Sequence, residues 1–106
     1  MLVTLLPEAE QERLALSEGE RRALDVAIDK LEALDERLRF PHTSAIKGAT
    51  KLRELRPRAG RSPWRAFSRR VERRWIVAAI GPEAQVDPLG FRRAVQLAEQ
   101  RLATLR

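Results

Sequence analysis

Arginine is the residue type in which this sequence concentrates its chemistry. Residues 39 to 74 carry twelve basic side chains and two acidic ones, among them Lys51, Arg53, Arg56, Arg65, Arg69, Arg70 and Arg73. A guanidinium is planar and protonated near neutrality, and it can hold a phosphate through two parallel N–H donors. Such a density of positive charge on a small domain draws in phosphate backbones. The same group can stabilise the charge of a pentavalent phosphoryl transition state, so RNA cleavage without a metal is open to it. Arginine cannot accept a proton at neutral pH. A cleaving site therefore needs a separate acceptor, or must orient the RNA 2′-hydroxyl for in-line attack.

Other constellations are sparse. One histidine, His42, and no cysteine exclude Cys/His nucleophiles, disulfides and histidine-rich zinc sites. Neither KGAT (47–50) nor GPEAQ (81–85) has phosphate-loop spacing, so no cofactor or metal is expected. Glu83 and Asp87 could accept a proton, but a loop acid and a helix N-cap are the simpler readings. His42, beside Pro41, reads first as a loop residue. Trp64 and Trp75 could stack on bases, but both abut apolar strand positions, and packing explains them more simply.

The elements that must position these side chains read as one α+β domain over residues 1–106. Leu2 to Leu6 is an apolar run closed by Pro7, a short edge strand. Pro7 suits a first helical turn, with Glu8, Glu10 and Glu12 near its positive end. Ser17 and Glu20 have capping-box spacing. Leu24, Ala27, Ile28, Leu31, Leu34 and Leu38 then form one apolar stripe on a helix ending before Pro41. Residues 8 to 36 carry ten acidic and four basic side chains, so this helix pair is as acidic as the following segment is basic. Residues 40 to 50 read as loop. Strands are expected at Lys51 to Arg56, Trp64 to Val71 and Trp75 to Ile80, the last buried on both faces and hairpin-paired with its predecessor. Asp87 and Pro88 have the residue types of an N-cap and a first helical position. Phe91, Ala94, Val95, Ala98, Leu102 and Leu105 line one face of a terminal helix. The N-terminal apolar run is too short for a signal peptide or a membrane span, which predicts a cytosolic protein.

The stretch KLRELR (Lys51–Arg56), then WRAF (Trp64–Phe67), an apolar strand and a final helix resembles the RelE/HigB/ParE toxin superfamily, and most closely its phage-derived HigB-like branch. The resemblance implies a small antiparallel sheet, made of a short N-terminal strand plus three more, packed against an N-terminal helix pair and a C-terminal helix. It implies a type II toxin that arrests growth by cleaving mRNA on the ribosome, and a cognate antitoxin with an acidic toxin-binding segment and a helix-turn-helix domain. By position Arg65 and Arg56 would be catalytic, with Arg65 on the phosphate, and Lys51, Arg53, Arg69, Arg70 and Arg73 would contact the RNA backbone. Residues 81–91 lack the basic side chains and the tyrosine that the ribonuclease members carry there, with Phe91 near the tyrosine's place. That difference fits the alternatives: a ParE-like inhibitor of DNA gyrase, or a toxin fold that only binds RNA or protein.

Overall fold

A computed structural model describes residues 1–105. Strand β1 (Leu2–Leu5) leads into helices α1 (Pro7–Leu14) and α2 (Glu18–Leu34). Strands β2 (Thr43–Ala45), β3 (Arg53–Leu55), β4 (Trp64–Val71) and β5 (Arg74–Pro82) follow, and helix α3 (Pro88–Ala103) ends the chain. They form one five-stranded sheet in the order β1-β5-β4-β3-β2. Neighbours are antiparallel except β1, which runs parallel to β5. Strand β2 falls within residues 40–50, expected to be loop; three residues, Thr-Ser-Ala, are too few and too polar to show a strand period.

Apolar patterning explains the layering. Leu24, Ala27 and Leu31 of α2 and Ala9 of α1 cover one face of the sheet, over Val3, Leu55, Ala66, Trp75 and Val77. Ala94, Ala98 and Leu102 of α3 cover the other, over Leu52, Phe67, Ile76 and Ala79. With a helix layer on each side, β5 is apolar on both faces, as its unbroken run from Trp75 to Ile80 predicts. Its alternation inverts once. Phe67 lies opposite Ala79 while Ser68 lies opposite Val77, so Ala78 is a bulge residue. Beyond it, Gly81 faces α3 together with Arg65 and Phe67. A methyl group at position 81 would collide with the Ala94 side chain, so glycine is what lets α3 close on the sheet.

Side chains finish two helix ends as expected. Ser17 Oγ accepts from Glu20 N–H at 3.4 Å, and Asp87 Oδ1 from Gly90 N–H at 2.9 Å. The Glu20 carboxylate does not fold back to complete a capping box; it accepts from Arg58 and from Ser62 Oγ. Helix α2 stops at Leu34, one turn before the apolar stripe ends. Asp35 takes φ 51° and accepts from Trp75 Nε1 at 2.7 Å, and a 3-10 turn (Asp35–Arg37) still delivers Leu38 to the core. At the β4–β5 turn, Glu72 adopts the positive φ of 58° that glycine or asparagine usually supplies. Arg13 grips Asp25 at 2.8 and 2.7 Å, tying α1 to α2, and this hydrogen-bonded pair holds the Asp25 carboxyl below its usual range.

Strand β1 leaves part of the β5 edge unpaired, because Pro7 turns the chain into α1. Two side chains take over. Glu12 Oε1 accepts from Ile80 N–H at 3.0 Å, and Arg101 donates to Ala78 C=O at 2.9 Å. Arg101 also binds both Glu12 oxygens, at 3.0 and 3.1 Å, so one ion pair links α1 and α3 across the edge.

Candidate nucleic-acid interface

The two arginines singled out from sequence are brought together through one carboxylate. Glu54 of β3 lies opposite Phe67 of β4, so its side chain stands on the α3 side of the sheet, as does Arg65 two residues along. Glu54 Oε1 accepts from Arg65 Nε at 3.2 Å and from Arg56 Nη1 at 2.9 Å. Arg65 is 2% exposed and its guanidinium is fully engaged. Nη1 donates to the carbonyls of Ser62 (2.7 Å) and Trp64 (2.9 Å), and Nη2 donates to Gly60 C=O (3.3 Å) and Glu83 (2.7 Å). With Nε on Glu54, all five N–H donors have acceptors. Arg65 thus closes the loop over residues 60–64 onto the start of the segment after β5. It presents no free donor to a phosphate.

Arg56 stands differently. Its side chain is 21% exposed, and its guanidinium stacks 5.2 Å from the centroid of the Phe40 ring. Its Nε is buried without a hydrogen-bond partner among the described residues. Gly60 makes room beneath it, since a Cβ there would lie 2.7 Å from Arg56 Nη2; Gly60 also has φ 94°, so two constraints favour glycine. Arg56 N–H donates to His42 C=O at 2.8 Å. The two residues line a groove of about 320 Å³ beside α2. Arg22, Lys30 and Arg58 add three more cations to its rim, and Val26, Leu38 and Leu55 contribute apolar floor. Three of the rim guanidiniums have carboxylate neighbours: Arg22 pairs with Glu18, Arg58 with Glu20, and Arg56 with Glu54.

The remaining predicted contacts are spread over both faces. Lys51, Arg53 and Arg70 line one hollow with Glu36 and Trp75, on the α2 side. Arg53 Nε reaches Thr43 Oγ1 at 3.4 Å, and Arg70 pairs with Glu36 at 2.7 Å. Arg69 lies on the opposite face and donates to Thr50 C=O at 2.9 Å. Arg73 is exposed at the hairpin tip. Phe91 meets Phe67 edge-on, with ring centroids 5.4 Å apart, and serves as a core anchor of α3. Asp87 caps α3, and Trp75 is buried in the core.

Sequence reasoning missed Glu54 and Glu83 as the acids that organise the arginines. The i, i+2 spacing of Glu54 and Arg56 carries part of that signal, because both lie on one face of a strand. Glu83 lies 18 residues beyond Arg65, and nothing in the local sequence marks the pair.

Comparison with known proteins agrees with this architecture. Residues 11–81 match the family described as phage derived protein Gp49-like. Among solved structures, a double arginine-to-alanine variant of the E. coli toxin RelE in its free state superimposes with a TM-score of 0.63 at 14% sequence identity, covering 90% of this chain and 94% of that one. No curated protein sequence matches. The chain therefore has the fold of RelE, and it belongs to the phage-derived Gp49-like family, a family of RelE-like toxins.

Proposed function

We propose that this protein is the toxin of a type II toxin–antitoxin pair and acts as a ribosome-dependent mRNA endoribonuclease, arresting growth from the cytoplasm. The observation that carries the reading is the shared carboxylate of Glu54. It holds a buried Arg65 and a half-buried Arg56 in line, so that Arg56 is presented at a cationic groove. Arg56 contacts the scissile phosphate, and Arg65 acts through Glu54 as a positioning residue. Lys51, Arg53, Arg69, Arg70 and Arg73 supply backbone contacts around the sheet, each modest and salt-dependent. A cognate antitoxin with an acidic segment neutralises the protein by covering these cations.

The test is induction of the parent and of Arg56→Ala in a host, with growth and mRNA 5′ ends followed together. The expected result is arrest with new mRNA ends for the parent, and neither for a variant whose circular dichroism is unchanged. An Arg56→Ala protein that still arrests growth and cuts mRNA would remove Arg56 from the site. A second reading draws on the segment after β5, where Val86 and Leu89 are 60% and 64% exposed and no basic residue occurs between Gly81 and Phe91. Such a surface suits a protein target such as DNA gyrase. Loss of plasmid supercoiling on induction, with intact mRNA, would favour that reading.

A further inference from the structure

We infer that His42 is the proton acceptor of the site, a catalytic base facing the RNA 2′-hydroxyl across the groove from Arg56. This rests on the proposed ribonuclease reading and supplies the group that arginine chemistry lacks. Strand pairing places the residue. Thr43 lies opposite Leu55 in the antiparallel β2–β3 ladder, so His42 and Arg56 are the next pair along. The Arg56 N–H to His42 C=O bond at 2.8 Å continues that register beyond the strand ends. Opposed residues in an antiparallel pair carry their side chains on the same face, with Cβ atoms about 4.5–5.5 Å apart. The backbones of His42 and Arg56 are thereby held side by side. Both line the groove, with Arg22 and Lys30 from α2 and Arg58 from the turn after β3. The carboxylates nearest these cations, Glu18, Glu20 and Glu54, are each engaged by an arginine. Among the described residues that line the groove, His42 carries the one side chain able to accept a proton near neutral pH.

The step balances without a co-reactant. Neutral imidazole takes the proton of the 2′-hydroxyl, and the 2′-oxygen bonds to phosphorus. The P–O5′ bond breaks, and the departing 5′-oxygen takes a proton from water. The products are a 2′,3′-cyclic phosphate and a 5′-hydroxyl, and the imidazolium returns its proton to solvent. Arg56 stabilises the charge gathering on the phosphoryl oxygens.

The experiment is single-turnover cleavage of a defined mRNA on programmed ribosomes, by the parent, His42→Gln and His42→Asn, across pH. The parent should show a rate that rises with pH, as general-base catalysis requires an unprotonated acceptor. His42→Gln should cleave about 100-fold more slowly or worse, without that limb and with an unchanged urea midpoint. A 2′-deoxynucleotide at the cut site should block the parent. Cleavage by His42→Gln at the parental rate overturns the inference while leaving the ribonuclease reading intact. So does a parental rate that does not change with pH, which decides the matter even if both variants unfold. A parent that arrests growth without cutting ribosome-bound mRNA overturns both.

Discussion

The most demanding consequence of the site is that Arg65 supports the fold. Replacing it with methionine keeps a chain of similar length and removes the charge with all five donors. Glu54 still has Arg56, but Glu83 loses its ion-pair partner, and the carbonyls of Gly60, Ser62 and Trp64 lose their side-chain donors in a place largely closed to water. Breaking a buried ion pair by removing one partner costs about 3–5 kcal/mol. A domain of this size has a total stability on the order of 5–15 kcal/mol, so the change takes a large share of it. With a urea dependence of about 2 kcal/mol/M, the unfolding midpoint should fall by roughly 2 M. Arg56→Met is the control. Its guanidinium makes one carboxylate contact at 2.9 Å from a half-buried position, so its loss should cost only about 1 kcal/mol. Adding Glu83→Gln to Arg65→Met removes the orphaned charge and should recover part of the deficit, about 1–2 kcal/mol. Equal urea midpoints for Arg65→Met and the parent would refute the argument. So would a larger loss from Arg56→Met than from Arg65→Met.

Three further outcomes follow from the packing. Gly81→Ala drives a methyl group into Ala94, so α3 must shift; a loss of about 1–3 kcal/mol should appear in thermal or urea unfolding. Glu12→Ala and Arg101→Ala each strip the open β5 edge and strand the opposite charge. Their effects should be strongly non-additive in a double-mutant cycle, and simple additivity would show that the pair does not act as a unit. The folded Asp25 carboxyl titrates below the unfolded one, chiefly because Arg13 hydrogen-bonds its charged form. Its contribution is complete above about pH 5 and is lost as the pH falls through the folded value. Asp25→Asn should therefore be less stable than the parent at pH 7, and the gap should close in acid; a gap constant from pH 7 to 3 would contradict this.

What the sequence could and could not convey about this site has a physical basis. Element types were legible wherever burial imposes a period: the α2 stripe, the unbroken apolar run of β5 and the Asp87–Pro88 start of α3 all have local causes. The end of α2 was not legible, because Leu38 keeps the spacing of a stripe whose helix has already stopped at Leu34. Strand β2 was missed because Thr43–Ala45 takes its strand character from pairing with β3, not from its own residues. The basic stretch of residues 39 to 74 was legible as charge, yet charge along a chain does not state depth. Arg65 and Arg56 are the same residue type nine positions apart, and neighbours from distant segments give them opposite surroundings. Three carbonyls and Glu83 enclose the first; Phe40 and the α2 groove leave the second partly open. His42 is the converse case, a residue whose neighbours in sequence say loop while the β2–β3 register sets it against Arg56. Arginine density therefore locates a polyanion surface, and only tertiary pairing divides that surface into cations that build the sheet and a cation that can reach a ligand.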